Sequence, residues 1–193
     1  MTQRVELVVI GGSAGAIEVL REILRGLPRQ FGSAVAIVIH LPPDGPNLLP
    51  EILSGPTVPP LKLAEDKEPI LPGIIYLAVP DYHLLVEAGR TFALSLDARV
   101  HFSRPAIDVL FETAAEAYGA KVMGIVLSGA NADGAAGLKA IADRGGITVV
   151  QSLESAEMIA MPAAALEAAP GSFELNVPGL VAMMRAHGDV NDR

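Results

Sequence analysis

The chain contains no cysteine and no tryptophan, and aromatic residues make up only 4% of it. The absence of cysteine excludes disulfides, thiolate catalysis and cysteine-ligated zinc. The scarcity of aromatic side chains predicts an aliphatic core of Ala, Val, Leu and Ile, which suits buried parallel strands covered by helices. The composition therefore favours the α/β class.

Long hydrophobic runs and clusters of positive charge are also missing. Hydrophobic residues form 51% of the chain, but runs such as 35–39 and 124–127 are far shorter than the roughly 18 residues that a membrane span needs. An apolar strand begins too near the N-terminus to leave room for a signal peptide, so we expect a cytoplasmic protein without membrane insertion. The formal charge of −8 argues against nucleic-acid binding.

Strand and helix patterns alternate along the chain. We predict strands at 5–10, 34–39, 122–127 and 147–150, and helices at 16–27, 105–118, 135–144, 163–168 and 178–187. The proline-rich middle predicts a β-hairpin over 84–96 as an embellishment. This order indicates one domain over residues 1–193, with a single doubly wound, mostly parallel sheet and helices on both faces. Ligands of such sheets bind at the carboxyl ends of the strands.

The segment from Gly11 to Gly15 matches the G-x-S-x-G nucleophile elbow and stands between a predicted strand and a predicted helix. Small flanking residues would let Ser13 rise above the sheet, and free amides at the helix start could hold an oxyanion. Two other interpretations remain open. Ser13 could simply cap the helix, or the turn could bind a phosphate, although the second strand ends in His40 where a dinucleotide fold needs an acidic residue.

A nucleophilic serine needs a base and an acid that orients the base. Of the four histidines, only His40 clearly ends a central strand, whereas His83, His101 and His187 do not. Asp133, in the small-residue loop after the third of these strands, is the best acid, although it could equally cap the helix that starts at Ala135. The weaker acid candidates are Asp44, Asp81 and Asp108, and Asp108 is already explained by the electrostatics of a helix start.

The proposed order of Ser13, His40 and Asp133 differs from the Ser, acid, His order of ordinary α/β hydrolases, which indicates another family. Neither a metal site nor a cofactor is expected, because the chain lacks H-E-x-x-H and any close group of histidines and carboxylates.

At this point the chain resembles the catalytic domain of the CheB family, the chemotaxis protein-glutamate methylesterases. The resemblance extends over nearly the whole chain and rests on segments 8–16, 38–42, 82–84, 104–111, 127–137 and 151–162. It implies hydrolysis of methyl esters on glutamate side chains of chemoreceptors, with release of methanol, and in some members deamidation of glutamine. It also implies a triad of Ser13, His40 and Asp133.

The chain departs from the family pattern at the elbow and at the acid loop. Ala14 stands where the family usually has threonine, and Ala130-Asn131 stands where it usually has Met-Gly. Because backbone amides form the oxyanion hole, the resemblance implies oxyanion or substrate binding at Ala14, Gly15, Ala130 and Asn131.

The resemblance also bears on partners and on rival functions. The expected partner is the cytoplasmic domain of a methylated chemoreceptor. Because the segment that starts at Met1 leads directly into the hydrolase pattern, we expect no receiver domain in this chain. Either the sequence is part of a longer protein or a separate receiver or kinase protein regulates it. The alternative functions are a non-catalytic signalling module on the same fold and a small-molecule carboxylesterase.

Overall fold

In a computed structural model, which describes residues 4–41 and 47–188, the chain forms one parallel sheet with helices on both faces. Its seven strands are β1 (Leu7–Gly12), β2 (Ala34–Ile39), β3 (Leu61–Leu63), β4 (Ile75–Leu77), β7 (Val122–Val126), β8 (Ile147–Gln151) and β9 (Phe173–Leu175). They lie in the order β3-β4-β2-β1-β7-β8-β9, and each adjacent pair is parallel. The predicted fold class is confirmed.

Six α-helices are assigned among the described residues. They are α1 (Ala16–Gly26), α2 (Leu49–Leu53), α3 (Ile107–Tyr118), α4 (Ala135–Asp143), α5 (Ala160–Ala168) and α6 (Val177–Gly188). None of the helices in residues 4–41 and 47–188 has the length and apolarity to cross a membrane.

The three central strands are apolar on both faces. Every residue of β1, β2 and β7 is buried, because one aliphatic cluster fills the space below α3, α4 and α5 and another fills the space below α1 and α6. A fully buried Leu or Ile contributes about 1.5–3 kcal/mol relative to an exposed one. Dense packing around β1 therefore gives the strand ends on either side of it a rigid support.

The proline-rich middle of the chain contributes more to the sheet than the sequence predicted. The hairpin is confirmed as β5 (His83–Val86) paired antiparallel with β6 (Phe92–Ser95). However, β3 and β4 from the same region extend the main sheet beyond β2, and α2 and β9 were not predicted. These elements span only three to five residues each, which is too short for a periodic pattern to be read.

The two glycines before Ser13 lie in the strand and do not form the turn. β1 ends at Gly12, whereas the sequence predicted that it would end at Ile10. A Cβ on Gly11 would come within 2.2 Å of Ile107 Cγ2, and one on Gly12 within 2.6 Å of the Ala16 Cβ. Glycine is needed at both positions because α3 and α1 approach the strand closely.

Candidate active site

The sheet order places the residues after β2, β1 and β7 side by side at the carboxyl edge. Gly12 pairs with Ile39 at the end of the β1–β2 ladder, so Ser13 and His40 are the next residues on adjacent strands. The His40 amide donates to the Gly12 carbonyl at 3.1 Å. On the other side of β1, the Ser13 amide donates to the Ser128 carbonyl, in the loop after β7, at 2.9 Å.

The turn from β1 into α1 depends on Gly15, not on the glycines before Ser13. Gly15 has a φ of 78°, a left-handed conformation that a side chain disfavours. A Cβ there would also lie 2.8 Å from the Ser128 hydroxyl. Ser13 is partly exposed at this turn, and Ala14 is exposed. The elbow therefore presents the serine at the edge where ligands of parallel sheets bind.

His40 and Asp133 are in direct contact. The His40 Nε2 atom lies 2.8 Å from Asp133 Oδ2, with Asp133 fully buried and the histidine side chain 12% exposed. Asp133 also accepts the backbone N–H of Ile107 on Oδ2 at 2.8 Å and that of Asp108 on Oδ1 at 2.9 Å. These charge-assisted bonds orient the carboxylate toward the histidine.

Asp133 caps a helix, but not the one that the sequence indicated. Its carboxylate binds the first amides of α3, whereas no side chain of its own segment caps α4, whose N-cap residue is Gly134. The helix dipole of α3 favours a negative charge at this place. Capping and a role beside His40 are therefore both compatible with the same carboxylate.

The partner of His40 determines which ring nitrogen carries the proton. An ionised carboxylate only accepts hydrogen bonds, so Nε2 must be the donor toward Asp133 and Nδ1 is left with a lone pair. Among the contacts of the described residues no hydrogen bond joins the Ser13 hydroxyl to His40; catalytic hydrogen bonds are often long before substrate binds. Nδ1 is therefore the ring nitrogen of His40 that can accept a proton.

We expect nitrogen-15 NMR to find the proton on Nε2 in the uncharged form of His40. The same tautomer is expected for buried His83, because its Nδ1 accepts the Ala106 amide at 3.1 Å while Nε2 lies 3.1 Å from the Ala98 carbonyl. The His83 signals therefore serve as an internal reference. A protonated Nδ1 on neutral His40 would contradict the assignment of its base nitrogen.

Several backbone amides around Ser13 have no partner within the described part of the chain. The hydrogen bonds of residues 4–41 and 47–188 do not use the N–H groups of Ala14, Gly15, Ala130 or Asn131. Ala14 and Ala130 are exposed, and the other two residues are partly exposed. Free amides at such an edge can stabilise a developing oxyanion, and oxyanion binding at these four positions stays a prediction.

Ser128 holds the elbow through a side-chain hydrogen bond that the sequence did not indicate. This fully buried serine donates its hydroxyl to the Ala14 carbonyl at 2.7 Å and accepts the Met158 amide at 2.9 Å. Its own amide donates to Gln151 Oε1 at 2.9 Å. A serine in a loop of small residues carries no pattern that would predict these contacts.

The remaining candidates lie apart from the His40–Asp133 contact or serve other partners. His101 pairs with Asp108 at 3.1 Å. Asp81 is exposed and binds Arg104 at 2.9 Å. His187 lies near the end of α6, at the opposite edge, where its carbonyl accepts the Val5 amide. Asp44 lies outside the described residues.

A buried carboxylate pair lies behind His40. The sequence showed no sign of a close group of histidine and carboxylates, but the possible metal-ligating atoms of His101, Asp108 and Asp133 all lie within 4.8 Å of one another. Burial raises the pKa of Asp108, against the lowering effect of its bonds to the Gly137 and Gly134 amides. Both oxygens of Asp133 and Oδ1 of Asp108 accept backbone N–H groups, and Asp108 Oδ2 lies 3.1 Å from the His101 ring.

A groove of about 540 Å³ opens beside His40. Its lining is mainly apolar, with polar groups from Ser103, Arg99, Arg104 and Asp81. Phe102, at its rim, is 95% exposed. A groove of this size admits a side chain with its neighbouring backbone, and its apolar walls suit an uncharged ester or amide.

Comparisons with known proteins identify the family to which the chain is similar. A family model described as CheB methylesterase matches residues 8–183. A Methanospirillum hungatei protein named protein-glutamate methylesterase/protein-glutamine glutaminase 2 is 35% identical over 173 residues, which are 90% of this chain and 49% of that protein. A Leptospira interrogans protein named as a candidate for the same two activities is 46% identical over 172 residues, 89% of each chain.

A solved structure shares the fold. The crystal structure of the Thermotoga maritima CheB methylesterase catalytic domain superposes with a TM-score of 0.86 at 31% identity, covering 93% of this chain and 97% of that one. The two chains therefore share one overall fold over nearly their whole length.

Proposed function

Because this chain belongs to the CheB methylesterase family, we propose that it hydrolyses methyl esters on glutamate side chains of chemoreceptors, releasing methanol. The observation that carries this proposal is the buried Asp133 carboxylate held 2.8 Å from His40, on the strand end adjacent to Ser13. A serine, an imidazole and a buried carboxylate at one sheet edge are suited to acyl transfer.

In the proposed first step Ser13 Oγ attacks the γ-carbonyl carbon of the ester, and His40 Nδ1 takes the hydroxyl proton. Asp133 stabilises the imidazolium that forms and keeps the ring oriented. As the tetrahedral intermediate collapses, the C–O bond to the methoxy group breaks and His40 returns the proton to the departing methanol. A glutamyl ester of Ser13 remains.

In the second step a water molecule attacks that ester while His40 again accepts a proton. The bond to Ser13 then breaks, His40 returns the proton to the serine, and the glutamate side chain leaves as the acid, which becomes a carboxylate by giving its proton to solvent. Amides of Ala14, Gly15, Ala130 and Asn131 are the proposed donors to the oxyanion in both steps. With a glutamine substrate the same sequence would release ammonia in place of methanol.

The test uses a receptor cytoplasmic fragment that is first methylated enzymatically with labelled methyl groups. We expect the chain to release labelled methanol and to remove the methyl group from glutamate, as detected by mass spectrometry of tryptic peptides. An unmethylated fragment with glutamine at the same sites serves to measure ammonia release. A simple carboxylic ester is assayed in parallel.

Two outcomes would contradict the proposal. Turnover of the simple ester with no release from the methylated receptor would indicate a small-molecule carboxylesterase. Failure of a fluorophosphonate probe to label Ser13, together with tight receptor binding, would indicate a non-catalytic signalling module.

A further inference from the structure

Two aspartates cap each other's helices behind the proposed catalytic histidine. The Asp133 carboxylate binds the amides of Ile107 and Asp108 at the start of α3. In return, Asp108 Oδ1 accepts the amides of Gly134 at 2.9 Å and Gly137 at 2.7 Å, at the start of α4. Asp133 therefore caps α3, the helix that contains Asp108, and Asp108 caps α4, the helix that follows Asp133.

This crossed arrangement makes the position of Asp133 depend on Asp108. Gly134 is the residue directly after Asp133, so the bond from its N–H to Asp108 restrains the acid loop on the side away from His40. On the other side, the Asp108 amide holds Asp133 Oδ1 and leaves Oδ2 facing His40. Both contacts come from one residue that does not touch the proposed reacting atoms.

The two helix starts leave little room for an alternative arrangement. A Cβ on Gly137 would lie 2.4 Å from Phe111 Cβ and 3.2 Å from Asp108 Cα, and one on Gly134 would lie 2.8 Å from Ile107 Cγ2. Glycines let α3 and α4 approach so closely that the Asp108 carboxylate reaches two amides at once. A longer or shorter side chain at position 108 could not keep both bonds without moving one helix.

A few titratable groups set the electrostatic surroundings of Asp108. The groups that face it are Asp133 just before α4, the His101 ring at 3.1 Å, and Glu112 one turn along α3. His40 lies beyond Asp133. The two helix N-termini favour the charged carboxylates, whereas burial and the Asp133 charge raise the pKa of Asp108.

We propose that Asp108 is a positioning residue for the esterase reaction, which orients Asp133 toward His40 through the Gly134 amide and through its own amide. This role rests on the function proposed above. Asp108 makes no contact that binds substrate in this scheme. Its loss should therefore lower kcat with little effect on KM, because it misplaces the acid without altering the groove.

The test compares three replacements at this position. Asp108→Asn removes the charge but keeps an oxygen that can accept both amides. Asp108→Glu keeps the charge but moves the oxygens by one methylene group, and Asp108→Ala removes the acceptor. We expect kcat per probe-titrated Ser13 to fall about 10- to 100-fold in the Glu and Ala variants, because a displacement of about 1 Å costs up to ~10²-fold. We expect the Asn variant to regain most of that loss, with KM within about twofold in all three.

The matched control is Asp143→Asn, an exposed aspartate paired with Lys139 at the far end of α4, which should leave kcat unchanged. If Asp108→Ala does not fold, the Asn and Glu variants decide the question. The proposal would be overturned if Asp108→Glu kept the wild-type kcat per titrated site. It would also be overturned if Asp108→Asn were as slow as Asp108→Glu. A Ser13→Ala enzyme that retained activity would instead overturn the function on which it rests.

Discussion

Replacing Ser13 with alanine is expected to lower methanol release from methylated receptor by about three to six orders of magnitude. The proposed reaction passes through an ester of Ser13, and no water molecule could occupy the place of its hydroxyl with the same alignment. Folding should be unaffected, because the Ser13 side chain is partly exposed and its backbone amide supplies the contact with Ser128. Initial rates with labelled methyl groups and circular dichroism of both proteins measure the two effects.

Ser54 offers a matched control for this change. It is an exposed serine at the end of α2 whose hydroxyl contacts only the Pro50 carbonyl among the described residues. Ser54→Ala should retain wild-type turnover and wild-type labelling by a fluorophosphonate. Turnover within tenfold of wild type in Ser13→Ala would mean that another group, or water alone, attacks the ester.

Replacing Asp133 with asparagine is expected to lower kcat by about 10³- to 10⁴-fold, the size of loss seen when the acid of a triad becomes an amide. The carboxylate accepts three N–H groups, from His40, Ile107 and Asp108. An amide can present its oxygen to one side only, so its NH₂ group must face a donor on the other. Either His40 changes tautomer or a buried amide of α3 loses its acceptor.

This variant should lose stability as well as activity. Loss of one cap bond at the start of α3 costs about 1–2 kcal/mol in the free energy of unfolding, which urea denaturation measures. Nitrogen-15 NMR of His40 shows whether its tautomer has changed or an amide of α3 has lost its acceptor instead. The control is again Asp143→Asn, whose carboxylate is 59% exposed. Full activity with an altered His40 tautomer would show that Asp133 caps α3 without serving the histidine.

The groove beside His40 is lined mainly by apolar residues, together with the charged side chains of Arg99, Arg104 and Asp81. An ionised glutamate would lose hydration against the apolar walls, whereas its methyl ester is neutral.

The sequence alone determined the fold class and the neighbourhood of Ser13 and His40. β1 and β2 are short aliphatic runs whose side chains are buried on both faces, and such runs form the central strands of a parallel sheet. Consecutive strands of this kind lie next to each other, so the residues that follow them meet at one edge. Local patterns were sufficient because β1 and β2, which are consecutive in the chain, are also adjacent in the sheet.

Only the tertiary structure decided how the two aspartates are used. In the sequence each stands at the start of its own helix, so Asp108 was assigned to α3 and Asp133 to α4. In the structure each carboxylate caps the other helix: Asp133 binds amides of α3, and Asp108 binds amides at the start of α4. This is possible because α3 and α4 begin side by side. The support of the elbow by Ser128 has the same origin. Contacts between segments that are distant in sequence depend on how the helices pack, and no local pattern carries that information.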